Sequence, residues 1–275
     1  MADDNPPDRF RKLVAIIAPP RSGTTVVTAA LSVHSDVVAV FEPWNANMER
    51  IDSTCGMTFD GFVETFVPAG RPGSVLVVKE TATYLRYIDR IEELVDGAPP
   101  TVTRHLVVIL RNPFHAFLSE VQARREWWGA ADLEIDAQTF ALWAKRMLSS
   151  CRRIADLAES QKALLLGYDA FGRDINGMQA LTRMVGLEPE RAQFEFEKHL
   201  DRSSVRGDLH VSSEPRPISP RSIDRREIEL ASVVDRFSAT PEYPAIVRLA
   251  EAFATLPSLS FARQQPAILS AMRGG

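Results

Sequence analysis

Five near-continuous apolar runs punctuate the chain, at 12–18, 37–41, 74–78, 105–110 and 163–166. Short runs rich in Val, Ile and Leu, without polar alternation, predict strands buried on both faces. Between them, apolar residues recur every three or four positions: Val26, Val27, Ala30, Leu31 and Val33; Leu85, Ile88, Ile91 and Leu94; Phe114, Phe117, Leu118 and Val121. That period predicts helices after the first, third and fourth runs. A longer stripe of Phe140, Ala144, Met147, Cys151 and Ile154 predicts a helix over about 136–159, and weaker patterns mark helices near 178–185, 190–200, 223–237 and 244–253. Residues 46–73 show periodicity only at 59–67, residues 201–222 are polar and proline-dotted, and the tail beyond Pro257 reads as weakly ordered.

Strands alternating with helices imply an α/β, three-layer, P-loop-like fold with a central parallel sheet flanked by helices. A chain of 275 residues without an internal repeat is read as one domain, with a core over about 12–200 and a helical C-terminal part over about 201–260. Charge and cysteine content narrow the function classes. A net charge of −4 argues against a general nucleic-acid surface. Cys55 and Cys151 are too few and too far apart for a disulfide framework or a metal site. No apolar run approaches a membrane span, and residues 1–11 are polar rather than signal-like. The expectation is a cytoplasmic, metal-free protein without a transmembrane segment, a trimmed targeting segment remaining open.

The chemistry concentrates at the first strand–helix junction, Pro19-Pro20-Arg21-Ser22-Gly23-Thr24-Thr25. A short loop of small hydroxyl residues at a helix start gathers free backbone N–H groups, and the helix dipole favours an anion there. Laid over the triphosphate loop G-x-x-x-x-G-K-[ST], Gly23 and Thr25 fit, but Ala18 replaces the first glycine and Thr24 the lysine. That lysine serves the β- and γ-phosphates, so its loss argues against triphosphate chemistry. Glu42, Lys79, Arg111 and Tyr168-Asp169 also lie at or just past the ends of apolar runs. Ligands of open α/β sheets bind at that carboxyl edge, so these groups converge on one crevice with Arg21. Arg111 and Ser119, eight residues apart, can face one anion from a strand end and the following helix.

Two of these segments resemble sulfotransferases that use 3′-phosphoadenylyl sulfate (PAPS). Pro20-Arg21-Ser22-Gly23-Thr24-Thr25 is similar to their 5′-phosphosulfate loop, and Arg111 with Ser119 to their 3′-phosphate motif. Lys79-Glu80-Thr81-Ala82-Thr83-Tyr84 resembles the Lys-Ser-Pro/Ala-x-Tyr segment of heparan-type members, with Glu80 as the departure. Cytosolic small-molecule members carry a histidine where this chain has Thr81, and a tryptophan where it has Val26. Phe41-Glu42-Pro43 resembles the Tyr-Glu-Pro of carbohydrate members, and the twenty-one residues from Arg21 to Glu42 match the spacing of the catalytic glutamate in tyrosylprotein members. Tyr168-Asp169-Ala170-Phe171 is similar to a Tyr-Glu-Asp-Leu segment near the nucleotide, and Arg206 falls where relatives bring a late basic loop.

The resemblance covers about residues 14–187 and implies sulfuryl transfer from PAPS to an acceptor hydroxyl of a glycoconjugate, lipid or small molecule, without a metal. It implies Arg21, Ser22, Gly23, Thr24, Thr25, Arg111, Ser119, Tyr168 and Arg206 as donor ligands. Glu42 then acts as general base, with Glu80 in reserve, and Arg21 and Lys79 stabilise developing charge. Burial beside Phe41 and Trp44 would raise the pKa of Glu42, whereas Arg21 and Lys79 would lower it. Trp127 and Trp128 are candidates for an acceptor pocket, though adjacent tryptophans commonly serve as core and rim. His34 reads as a structural turn and His115 as a bystander. Two rival readings stand beside this one, a P-loop-type small-molecule kinase and a non-catalytic nucleotide-binding relative.

Overall fold

In the computed structural model, which describes residues 9–45, 55–68, 70, 72–126, 129, 130, 133–174, 176–196 and 234–274, the first apolar run forms the strand from which the sheet is built. The elements follow as β1 (Lys12–Ala18), α1 (Thr24–Ser32), β2 (Val37–Phe41), α2 (Phe59–Phe66), β3 (Val75–Thr81), α3 (Leu85–Gly97), β4 (Thr103–Leu110) and α4 (Pro113–Glu126). Then come α5 (Ala137–Ser160), β5 (Leu164–Gly167), α6 (Tyr168–Phe171), α7 (Gly177–Met184), α8 (Tyr243–Ala254), β6 (Ser260–Phe261) and α9 (Pro266–Gly274). Among the described residues these strands form one sheet in the order β2-β3-β1-β4-β5-β6. All pairs are parallel except β5 with β6.

Strand alternation divides the core into two layers. Leu13, Ala15 and Ile17 point to the side covered by α2–α5, α8 and α9, while Val14, Ile16 and Ala18 point to the side covered by α1 and α7. Lys79 and Glu80, adjacent on β3, therefore leave the sheet on opposite faces. From β1 the chain runs outward to β2 and returns through β3, then crosses to β4 and β5 on the other side of β1. The order thus reverses between β1 and β4, and a crevice opens beyond their carboxyl ends.

Three expectations need correction. The tail beyond Pro257 is ordered: β6 pairs with β5, and α9 buries Ile268, Leu269 and Met272. Arg273 of α9 donates to Asp156 on α5 at 2.8 Å and pairs with Glu159. Apolar residues spaced three and four apart already carried that helix, but Gly and Pro around it obscured the pattern. The third strand runs on through Glu80 and Thr81 instead of ending at Lys79, because β1 pairs with it as far as Thr81. In the segment 190–200, residues Arg191–Glu195 form a 3₁₀ turn rather than part of an α-helix, closed by a reciprocal cap between Glu190 and Gln193. The loop expected at 201–222 and most of the helical pattern at 223–237 lie outside the described residues.

Candidate active site

The chain leaves β1 through two left-handed residues, Arg21 at φ 65° and Gly23 at φ 89°. Gly23 is the N-cap of α1 and has no side chain with which to cap that helix start. A Cβ on Gly23 would lie 2.1 Å from the Tyr168 ring. Glycine is required twice over here, for its backbone angle and for the ring against it. Ser22 is fully buried, yet its hydroxyl makes no hydrogen bond among the described residues. Uncapped helix N–H groups beside a buried, unsatisfied hydroxyl make a pocket of donors for an anion.

Two arginines frame this loop. Arg111, just past β4, donates from Nη1 to the Arg21 carbonyl at 3.0 Å and lies over the Tyr168 ring, 5.0 Å from its centroid. Arg21 donates from Nε to the Ser119 hydroxyl at 3.3 Å. Arg111 and Ser119, each 5% exposed, thus both touch Arg21. Arg111 Nε makes no hydrogen bond among the described residues and stands 3.9 Å from Asp169 Oδ1. Asp169 accepts from the Asn112 N–H at 2.7 Å and lies 3.4 Å from His115 Nδ1. Burial would raise its pKa, but His115, the Asn112 N–H and the Arg111 charge together hold it below the ordinary value. His115 is thus no bystander to the structure. It is buried in the first turns of α4 and braces the carboxylate that orients Arg111.

Beside the loop stands a buried ion pair. Lys79, 1% exposed, pairs with Glu42 Oε1 and donates to Thr25 Oγ1 at 3.1 Å. Thr81 Oγ1 donates to Glu42 Oε1 and Asn45 Nδ2 to Glu42 Oε2, each at 2.9 Å. Burial alone would raise the Glu42 carboxyl. The Lys79 charge and the hydrogen bonds from Lys79, Asn45 and Thr81 outweigh it, and the pKa lies below the usual carboxylate range. The opposing influences that the sequence left open thus resolve in favour of the cation. Lys79 is also no solvated strand-end lysine, since the charge is held wholly inside. Glu80, fully buried on the other face, is pushed up to about 8 by desolvation and by the Glu42 charge, against hydrogen bonds from backbone N–H groups.

The structure thus brings together Arg21, Ser22, Gly23, Thr25, Lys79, Glu42, Arg111, Ser119 and Tyr168, with Thr24 in the first turn of α1, 5% exposed. Arg206, Trp127 and Trp128 lie outside the described residues. His34 serves a turn, as its context implied, bonding the Glu188 carbonyl and the Asp36 N–H. Sequence reasoning passed over Asn45 and Thr81 as partners of Glu42. Thr81 was findable, since strand alternation puts it on the same face as Lys79. Asn45 was not, because its contact depends on a left-handed Glu42, at φ 46°. Among the described residues no group of three His, Cys, Asp or Glu is placed to hold a metal ion, and no helix is long and apolar enough to cross a membrane.

No protein-family model matches the chain, and no curated protein matches it significantly. Solved structures do. The sulfotransferase domain of the Synechococcus PCC 7002 olefin synthase superposes with a TM-score of 0.56 at 17% identity, over 90% of this chain and 97% of that one. The sulfotransferase domain of the curacin biosynthetic pathway gives 0.53 at 14%, over 87% and 97%. A mouse sulfotransferase, SULT7A1 complexed with PAP, gives 0.47 at 12%, over 90% and 94%, too loose a likeness to bear on contacts. The chain folds as sulfotransferase domains do.

Proposed function

We propose that the protein transfers a sulfuryl group from PAPS to an acceptor hydroxyl. The observation that carries this reading is the set of unmet donors between Arg21 and Arg111. Ser22 Oγ and Arg111 Nε are buried without a hydrogen bond among the described residues, at an uncapped helix start. Buried polar groups in native proteins are nearly all paired, and a bound anion would supply the missing partner here. Thr24 at the lysine position of a triphosphate loop turns the reading away from a kinase.

In this reading the N–H groups and hydroxyls of residues 22–25 hold the 5′-phosphosulfate, and Arg111 with Ser119 holds the 3′-phosphate, with Tyr168 beneath Arg111. The donor supplies a sulfuryl group activated by its bond to phosphate. Glu42, already ionised at neutral pH, takes the acceptor proton as the new S–O bond forms and the S–O bond to phosphate breaks. Arg21 and Lys79 face the charge that develops on the sulfuryl and leaving oxygens, in a site that excludes water from Lys79. Glu80 is set aside as base, because it is fully buried and its oxygens accept backbone N–H groups. The position and partners of Glu42 favour an acceptor chemistry of the carbohydrate or tyrosylprotein kind over that of the histidine-based members. Calorimetry with PAP and with ATP–Mg²⁺, followed by a labelled-sulfate transfer screen over sugar, lipid and phenol hydroxyls, tests the reading. PAP binding with transfer supports it, and ATP–Mg²⁺ binding without PAP binding would end it.

A further inference from the structure

Glu80 is the one departure from the lysine-strand motif that the reaction does not use. Its side chain leaves β3 on the face opposite Lys79 and is completely buried. One carboxyl oxygen accepts from the Thr81 N–H at 2.8 Å. The other accepts from the Trp44 N–H at 3.1 Å and the Asn45 N–H at 3.3 Å. These donors belong to two segments, the end of β3 and the turn after β2. Glu42 lies in that turn, in a left-handed conformation costly for a residue with a side chain. The only other backbone tie from Glu42 to β3 among the described residues is the Glu42 N–H to the Lys79 carbonyl, at 2.7 Å.

We propose that Glu80 is a positioning residue that clamps the 42–45 turn to β3 and so holds Glu42 and Asn45 against Lys79. The role suits a carboxyl and no other common side chain. Three N–H donors arrive from two directions, and only a group with acceptor capacity on both oxygens answers all of them. Glutamine would set an NH₂ against one of these donors, and alanine would leave them buried and unmet. Hydrophobic packing cannot replace the clamp, because it fixes no direction for the Glu42 carboxylate. The titratable and charged groups facing Glu80 are Glu42 from the end of β2, Lys79 from β3 and Tyr87 from α3. Burial and the Glu42 charge resist ionisation while the N–H groups favour it, and Glu80 titrates near pH 8. The clamped carboxyl keeps its proton longer than a released one would, so ionisation loosens the clamp and adds negative charge beside the base.

This inference rests on the proposed transfer reaction only for its kinetic readout, and a structural one stands apart from it. In Glu80→Gln, amide hydrogen exchange at Trp44, Asn45 or Thr81 should quicken, while exchange in α1 stays unchanged. PAP affinity should hold, KM should change little, and kcat should fall by as much as about a hundredfold, the scale of an ångström of misplacement. The wild-type kcat should show an inflection at about pH 8 that the variant lacks. Unchanged amide exchange in the variant overturns the clamp, as does a loss of PAP affinity in step with kcat, which would mark a general defect. If the wild-type chain neither binds PAP nor transfers sulfate, the donor reading fails and amide exchange alone decides the clamp. Should the variant not fold, exchange at Trp44 and Asn45 in the wild-type chain decides it. Protection corrected for intrinsic rate should fall as pH rises toward about 8 and level off above it, and a flat profile overturns the proposal.

Discussion

Glu42→Gln isolates the proposed base, because the amide can keep nearly every contact of the carboxylate. Its oxygen can take the place of Oε1 and accept from Lys79 and Thr81, while its NH₂ meets an Asn45 amide turned to present oxygen. The fold should survive, at a cost. Lys79 remains 1% exposed and loses its counter-charge, which breaks a buried pair from one side and should cost about 3 kcal/mol. The transfer rate should fall by about 10²–10⁴, or about 3–5 kcal/mol of barrier, because general-base assistance is gone. PAP affinity should stay within about twofold, since none of the residues assigned to the donor phosphates is altered and no cation is removed.

Three measurements separate these effects: urea denaturation for stability, calorimetry with PAP for affinity, and single-turnover transfer of labelled sulfate for the chemical step. The pH dependence adds a sign. Glu42 acts as the carboxylate and its pKa is lowered, so its own titration should leave the wild-type rate level near neutrality and lower it only as pH drops below the usual carboxylate range, separately from the Glu80 inflection near pH 8. A Glu42→Gln enzyme that folds, binds PAP and transfers at the wild-type rate would refute the assignment.

Arg111→Ala should weaken PAP binding by about 10–100-fold, the scale of a charge-assisted hydrogen bond, and calorimetry reads this directly. Gly23→Ala should lose PAP binding and a few kcal/mol of stability, since it strains a residue at φ 89° and drives a methyl into Tyr168, visible in a denaturant melt. Glu80 gives stability a pH slope: its carboxyl titrates at about 8 folded against 4.5 unfolded, so the folded state keeps the proton longer. As pH rises from about 4.5 to about 8, stability should therefore fall, and urea melts of Glu80→Gln should lack that slope.

The strands and the anion loop were legible because their causes are local. An apolar run such as Leu13-Val14-Ala15-Ile16-Ile17 cannot be solvated on either side, and Gly23 between hydroxyl residues marks a helix start at any reading distance. The convergence of Arg21, Lys79, Glu42 and Arg111 was legible one level up, since a parallel sheet puts all its strand ends on one edge. What the sequence could not carry were contacts set by tertiary packing. The Tyr168 ring on Gly23 joins elements 145 residues apart, and the Asp169–His115 brace needs β5 beside β4. Glu80 shows the limit most plainly. A glutamate next to a lysine on a strand end reads as a surface pair or a spare base, yet strand alternation sends it to the opposite, buried face. There its partners are three backbone N–H groups that composition does not reveal.

The central claim is that the crevice between β1 and β4 is built for a nucleotide carrying a 5′-phosphosulfate and a 3′-phosphate. Calorimetric titration of the wild-type chain with PAP, against ATP–Mg²⁺ in a parallel cell, tests it most directly. Saturable PAP binding that Arg111→Ala weakens is expected, with no comparable binding of ATP–Mg²⁺. Binding of ATP–Mg²⁺ with none of PAP would contradict it.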